Sequence, residues 1–337
     1  MYLYNPEVKK QISLWLIIVF IILTIMIIVG GLTRLTDSGL SITEWELFSG
    51  FLPPLTESKW IFYFDLYKKI PEFTLQNYDM TMSEFKVIFW WEWAHRFLGR
   101  LIGLLFLIPL IYFSFKFKFR DLIFYYFIFL LICFQGFIGW YMVSSGLVDR
   151  VDVSHFRLSI HLLIAFLILS LVLWGYLNIN NIKPTSKKIS LLPIIFLISI
   201  FIQITLGAFV SGMDAGKIYN TWPLMGSTFF PNDNEFSNLF KFSAFSDPSL
   251  VQFLHRNFAY VIIFVYLIMS FVIFKNKIFR FYKTLYLLGA FLLLQVILGV
   301  FTLLYGAQIY LASMHQISSI FLVSSSIYLL YINTKSN

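Results

Sequence analysis

Eight runs of apolar residues punctuate the chain, near 12–31, 88–114, 122–143, 158–177, 190–210, 251–274, 284–304 and 310–332. Crossing the hydrocarbon core takes about 20 apolar residues. In that medium every backbone N–H and C=O must be satisfied within its own segment, which a helix does. The pattern predicts an all-α polytopic membrane protein with eight transmembrane helices. Two longer polar stretches, 32–87 and 211–250, interrupt the series as large loops.

Composition sharpens this picture. Of 337 residues, 59% are hydrophobic and only 12% charged. Soluble domains carry about 25% charged residues, so a soluble enzyme is excluded. Disorder is excluded as well, because 20% of the residues are aromatic, 40 of them Phe. The single cysteine, Cys133, leaves no intrachain disulfide and no cysteine-based metal or iron–sulfur site within the chain.

The net charge of +8 is read by location rather than as a sign of nucleic-acid binding. Lys9 and Lys10, then Lys116, Lys118 and Arg120, then Lys183, Lys187 and Lys188, then Lys275, Lys277, Arg280 and Lys283, and finally Lys335 flank the spans on one side. These are 13 of the 25 basic residues, concentrated in short segments. The positive-inside rule then makes both termini cytoplasmic and puts the two long loops outside. Trp60, Trp90, Trp91 and Trp93 cluster where an interfacial aromatic belt is expected. The opening MYLYNPEVKK lacks the Arg- and Ser-rich character of a transit peptide, and the first span is too long for a signal-peptide core. The expected location is the bacterial inner membrane, with the first span retained.

The two halves of the chain echo one another. Asp37-x-Gly39-x5-Trp45 recurs as Asp214-x-Gly216-x5-Trp222, and His95-Arg96 as His255-Arg256. Gln135-x3-Gly139 recurs as Gln295-x3-Gly299, and His161 is answered by His315. Four pairs in one order indicate an internal duplication into four-helix halves, residues 1–180 and 181–337. An even number of spans per half gives both the same orientation, related by an axis along the membrane normal. In each half the Asp and Gly are expected to shape the outer loop, with Asp capping a short helix, Gly permitting a turn, and Trp packing over the site or anchoring to lipid. The Gln-x3-Gly pairs are expected to allow close helix packing, with Gln bonding across helices.

Four of the five histidines, His95, His161, His255 and His315, fall within the first two turns of even-numbered spans, at similar depth near the outer face. His95 lies roughly 10 Å below the start of its span. One reading is two bis-imidazole iron sites, His95 with His161 and His255 with His315, each holding a planar macrocycle between helices. Partners 66 and 60 residues apart suit such a group. The bland reading is four core histidines satisfied by hydrogen bonds. Matched depth in a repeated frame favours the first, because ionisable groups in spans are costly and are kept for function. His155 has no counterpart in the second half and is expected at the interface.

Arg96 and Arg256 each follow one of these histidines in the sequence, and two readings stand for them: bidentate partners of propionates, or side chains snorkelling to lipid phosphate. Arg100 is one turn deeper and has no basic counterpart, Tyr260 standing at the matching position of the second half; it pairs with a propionate or with a buried carboxylate. Glu92 stands three residues before His95, where the second half has Gln252. It is either an acid or base beside one site only, or a carboxylate paired with Arg96 or Arg100.

Together GGLTRLTDSGLSITEW (30–45), EWAHRFLGRLIG (92–103), VSHFRLSIHL (153–162), QITLGAFVSGMDAG (203–216), LHRNFAY (254–260) and MHQ (314–316) resemble the haem A synthase family of mitochondria and alphaproteobacteria. The branch of that family with outer-loop cysteine pairs is not matched. The resemblance implies oxidation of a ring methyl of haem O to a formyl group through successive hydroxylations, giving haem A for terminal oxidase assembly. It implies a substrate half with haem O between His95 and His161 and Glu92 as the catalytic carboxylate. It also implies a cofactor half with haem b on His255 and His315. Expected partners are membrane lipid, an electron acceptor, a haem O synthase (the farnesyltransferase) as substrate donor, and a further copy of the chain; no nucleic acid is expected. The competing reading is a di-haem b-type cytochrome for membrane electron transfer, which leaves Glu92 unexplained. A transporter is a third, disfavoured by the outer position of the histidines.

Overall fold

A computed structural model describes residues 5–148, 150–180, 189 and 191–334. Lys183, Lys187, Lys188 and Lys335, used above for orientation, lie outside the described residues. Ten α-helices follow in order: α1 (Pro6–Leu35), α2 (Glu57–Tyr67), α3 (Pro71–Leu75), α4 (Met82–Ser114), α5 (Phe119–Val143), α6 (His155–Ile179), α7 (Leu192–Gly212), α8 (Pro248–Lys275), α9 (Tyr282–Leu304) and α10 (Ile309–Thr334). Among the described residues, eight of these are long and apolar enough to cross a membrane, and they match the eight predicted runs. The short α2 and α3 belong to the first large loop.

The chain forms two compact units. One is Ile18–Ile168; the other holds the described residues on either side of it. In the first unit, α4 packs along α5, and the outer loop carries an aromatic cluster of its own. Trp60, Phe64 and Tyr67 of α2 pack with Phe85 and Phe89 of α4, and Leu40, Ile42, Ile70 and Val153 close the cluster. Thr81 and Glu84 form a reciprocal capping box that starts α4 at Met82. That start is earlier than the apolar run suggested, so His95 sits thirteen residues along α4 rather than within its first two turns. The extra turns hold Phe85 and Phe89 against α2. Trp60 is therefore a core residue of the loop, 9% exposed, and not a member of an interfacial belt. Trp90 remains outward-facing and touches both Trp60 and Trp93.

In the second unit, α7 packs on α8, α9 on α10, and α7 on α10. Asn333 in the last turn of α10 accepts a hydrogen bond from the Ile189 amide at 2.7 Å.

The outer loops begin alike in both units. Asp37 and Asp214 take left-handed backbone conformations, φ 47° and 51°. Asp tolerates this region where most residues do not. The turn thus falls on the aspartate rather than on the glycine two residues later. Asp214 stands at the N-cap of a short 3-10 helix, Ala215–Lys217, without a side-chain cap bond and pairs with Lys217 at 3.0 Å, whereas Asp37 accepts from Arg34 at 2.6 Å.

Candidate functional site

The rings of His95 (α4) and His161 (α6) stand 6.4 Å apart, centre to centre, with planes at 71°. Those of His255 (α8) and His315 (α10) also stand 6.4 Å apart, at 86°. With about 2 Å per metal–nitrogen bond and roughly 1.2 Å from ring centre to nitrogen, two imidazoles on opposite faces of one ion stand about 6.4 Å apart. A tetrahedral arrangement would bring them to about 5.2 Å. The spacing fits trans ligation in both units.

Each ring lies against a glycine of the neighbouring helix. A methyl group on Gly30 (α1) would come within 2.7 Å of His95 Cε1, and one on Gly139 (α5) within 3.1 Å of His161 Cε1. In the second unit Gly207 (α7) faces His255 at 3.0 Å and Gly299 (α9) faces His315 at 3.1 Å. A side chain at Gly30 would clash with the ring, and one at Gly139, Gly207 or Gly299 would crowd it, so these glycines define four close cradles. The Nδ1 atom of every one of the four histidines is buried without a well-formed hydrogen bond. Backbone carbonyls approach three of the rings, that of Met26 at His95, Gln203 at His255 and Gln295 at His315, the arrangement of a histidine whose other nitrogen is free to face a metal.

Among the described residues, no group of three or more His, Cys, Asp or Glu side chains gathers to hold an ion unaided. Each pair offers two facing imidazoles, and an ion held there would need its remaining donors from another group. A porphyrin supplies four such nitrogens, and bis-histidine ligation is among the haem's common modes. The residues present fit a haem in each unit.

Glutamines lock the cradles. Gln135 Nε2 donates to the His161 carbonyl at 2.9 Å, Gln203 Nε2 to the His255 carbonyl at 2.9 Å, and Gln295 Nε2 to the His315 carbonyl at 2.8 Å. The last also reaches Ser318 Oγ at 2.7 Å. Two of these glutamines stood out in the repeat. Gln203, four residues before Gly207, belongs to the same pattern and was not singled out, because its counterpart in the first unit is Met26.

Glu92 is 3% exposed and fully engaged. Its Oε2 accepts from Ser41 Oγ at 2.8 Å and from the Ile42 amide at 2.7 Å. Its Oε1 accepts from Arg96 Nε at 3.0 Å and Nη2 at 2.6 Å. Arg96 also donates to the carbonyls of Ile42 at 2.6 Å and Glu44 at 2.9 Å, and lies over the Trp45 ring. The carboxylate and guanidinium thus rivet the first outer loop to α4. In the second unit Gln252 Nε2 donates to the Tyr219 carbonyl at 3.1 Å and Arg256 Nη2 to the Thr221 carbonyl at 3.0 Å. Glu44 and Thr221 both stand seven residues after the left-handed aspartate, so the two loops are held at matched points.

Arg100 donates to the backbone oxygens of Leu47 at 2.9 Å and Glu46 at 2.7 Å rather than to a carboxylate. Its Nη1 is buried with no hydrogen-bond partner, as is that of Arg256. Arg96 and Arg100 line one cleft with Glu44, Glu46, Tyr63 and Trp93. In the same loop the Tyr63 phenol is pushed up to about 12, by burial first and then by its hydrogen bond to Glu46. His155, expected at the interface, opens α6 as a buried residue whose ring lies 4.3 Å from that of Phe156, with planes tilted by 38°.

Residues 13–327 match the family model COX15-CtaA, described as cytochrome oxidase assembly protein. A haem A synthase of Pelagibacter ubique is 49% identical over 99% of this chain and 100% of its own length. One of Rickettsia bellii is 47% identical over 94% of this chain and 96% of its own. One of Flavobacterium johnsoniae is 43% identical over 96% of this chain and 98% of its own. This full-length similarity, on an eight-span frame with two facing histidine pairs, places the chain in the COX15-CtaA family of cytochrome oxidase assembly proteins.

Proposed function

We propose that the protein is a haem A synthase, a membrane oxidoreductase that converts a ring methyl of haem O to the formyl group of haem A. The observation that carries this reading is the pairing of two equivalent histidine cradles with one unequal neighbour, Glu92 in the first unit and Gln252 in the second. In it His95 and His161 hold haem O, and His255 and His315 hold haem b. Oxidising a methyl to a formyl group removes four electrons from the carbon and adds one oxygen atom. The second haem supplies one-electron redox capacity for that conversion when bound.

The chain's own residues then have separable tasks. Gly30 and Gly139 let the two rings close on a planar substrate from opposite sides. Glu92 is the catalytic carboxylate. Ionised, it is an acceptor-only group whose lone pairs are filled by four donors. The Ser41 hydroxyl is the one donor that can also accept, and by rotating it opens a path for a proton to reach the carboxylate. Arg100 and Arg256, each with a buried unpaired Nη1, suit the propionate carboxylates. Arg96 has its donors committed to Glu92 and the loop, and suits a propionate less.

Eight membrane-crossing helices and bacterial relatives support a multi-pass protein of the bacterial inner membrane; the basic residues flanking the spans on one side favour cytoplasmic termini. The farnesylated substrate would come through lipid from the haem O-forming farnesyltransferase, and the electrons would pass to a membrane acceptor. A second copy of the chain is a further partner in this reading. A di-haem electron carrier would need both cradles but not the Glu92–Ser41–Arg96 cluster.

Pigment extraction from cells carrying Glu92→Gln tests the reading. Both haems should stay bound while haem A formation stops and haem O or a partly oxidised haem accumulates. Normal haem A yield from that variant removes Glu92 from the chemistry.

A further inference from the structure

Three of the four histidine-bearing helices are tied to their neighbours in the same way, and the fourth is not. Four residues before each cradle glycine stands Gln135, Gln203 or Gln295, whose amide holds the backbone carbonyl of the facing histidine at 2.8–2.9 Å. Four residues before Gly30 stands Met26, whose thioether can donate nothing. Its methyl group lies along α4 beside Gly99, one turn past His95. The Met26 carbonyl still reaches the His95 ring, as the carbonyls of Gln203 and Gln295 reach those of His255 and His315. Only the second hold, on the histidine backbone, is missing.

The joint between α1 and α4 is made elsewhere. Thr33 Oγ1 reaches the Trp91 carbonyl at 3.3 Å, a turn before His95, and shares that hydroxyl with Val29 at 2.9 Å. A shared, longer bond one turn away constrains the His95 backbone less than an amide placed directly on it. Met is also the most adaptable of the apolar side chains in a packed interface.

We propose that His95 is the exchangeable ligand of the four, released by the Met26 position, while Gln135, Gln203 and Gln295 act as positioning residues that hold His161, His255 and His315 in place. This rests on the synthase reading and refines it. A substrate haem must be received, turned over and passed on, and a cradle with one loose side allows that. The haem of the second unit stays, and both of its ligands are tied.

Carbon monoxide tests the difference without turnover, because it binds ferrous haem only where an axial ligand yields. The full-length purified protein carrying two haems should bind carbon monoxide at one haem and not at the other. Met26→Gln should supply the missing tie and weaken that binding about tenfold, the factor corresponding to one net hydrogen bond of about 1.4 kcal/mol. Gln203→Met should do the reverse and make the second haem reactive, a gain that guards against mere misfolding of the first variant. Two bound haems with the same carbon monoxide reactivity in wild type, Met26→Gln and Gln203→Met would overturn the inference and leave the synthase reading standing. A folded protein that binds no haem at all would remove both.

Discussion

At the scale of single residues, the four histidines and Glu92 were legible because each is polar in an apolar run, and such residues are costly to keep. The glycines that make the cradles were only half legible. Gly139 and Gly299 surfaced through their glutamines, whereas Gly30 and Gly207 read as ordinary small residues in helices. What identifies them is a contact across helices that no local pattern encodes. Gly30→Ala would put a methyl group 2.7 Å from the His95 ring, too close to be absorbed without moving the ring or the helix. The expected outcome is loss of pigment from the first site alone, lowering haem per protein by up to half, while Gly207→Ala depletes only the second. Absorbance-based haem stoichiometry of the two purified variants checks this. The arginines show the opposite lesson. Their positions in the sequence were visible, but their partners are carbonyls of a distant loop, and only the fold shows Arg96 occupied while Arg100 and Arg256 keep a donor free.

At the scale of elements, the eight spans follow from hydrophobic run length, which is the strongest signal a chain of this kind carries. The outer loop of the first unit was not legible as structure. Its α2 and α3 are short, and Trp60 of α2 reads as a membrane anchor until Phe85 and Phe89, on the extended α4, meet it. Within that loop Glu72 is 3% exposed, and burial pushes its carboxyl up to about 8. The charges of Glu92, Asp152 and Asp37 push the same way, and a hydrogen bond with Tyr67 opposes them. The unfolded carboxyl titrates near 4.5. Between these values the unfolded chain gives up the proton that the folded one retains, so stability falls as pH rises from about 4.5 to about 8 and levels off above. The effect is on the order of a few kcal/mol. Thermal unfolding of the detergent-solubilised protein across this range should show that slope, and Glu72→Gln should flatten it. An unchanged slope in the variant would assign the pH dependence to other groups.

At the scale of the whole molecule, the repeated motifs pointed to two similar frames, and the matched geometry agrees: equal ring spacings, paired left-handed aspartates and arginine contacts at corresponding loop carbonyls. The frames differ where function would make them differ. Glu92 stands against Gln252, and Met26 against Gln203. A duplicated scaffold with two local departures is economical, since one half can hold a cofactor permanently while the other handles a substrate. The sequence could not reveal which of its many inter-half differences matter. Of the two above, Glu92 was visible as a charge, and Met26 became visible only beside three glutamines making one shared contact.

The central claim is that the two histidine pairs serve different haems, and extraction of pigments from purified single-histidine variants measures it most directly. Replacing His255 or His315 by Ala should remove haem b and leave the first site able to retain haem O. Replacing His95 or His161 should leave haem b in place at one per chain with no haem O or haem A. Loss of the same pigment from all four variants would contradict the division of labour between the two units.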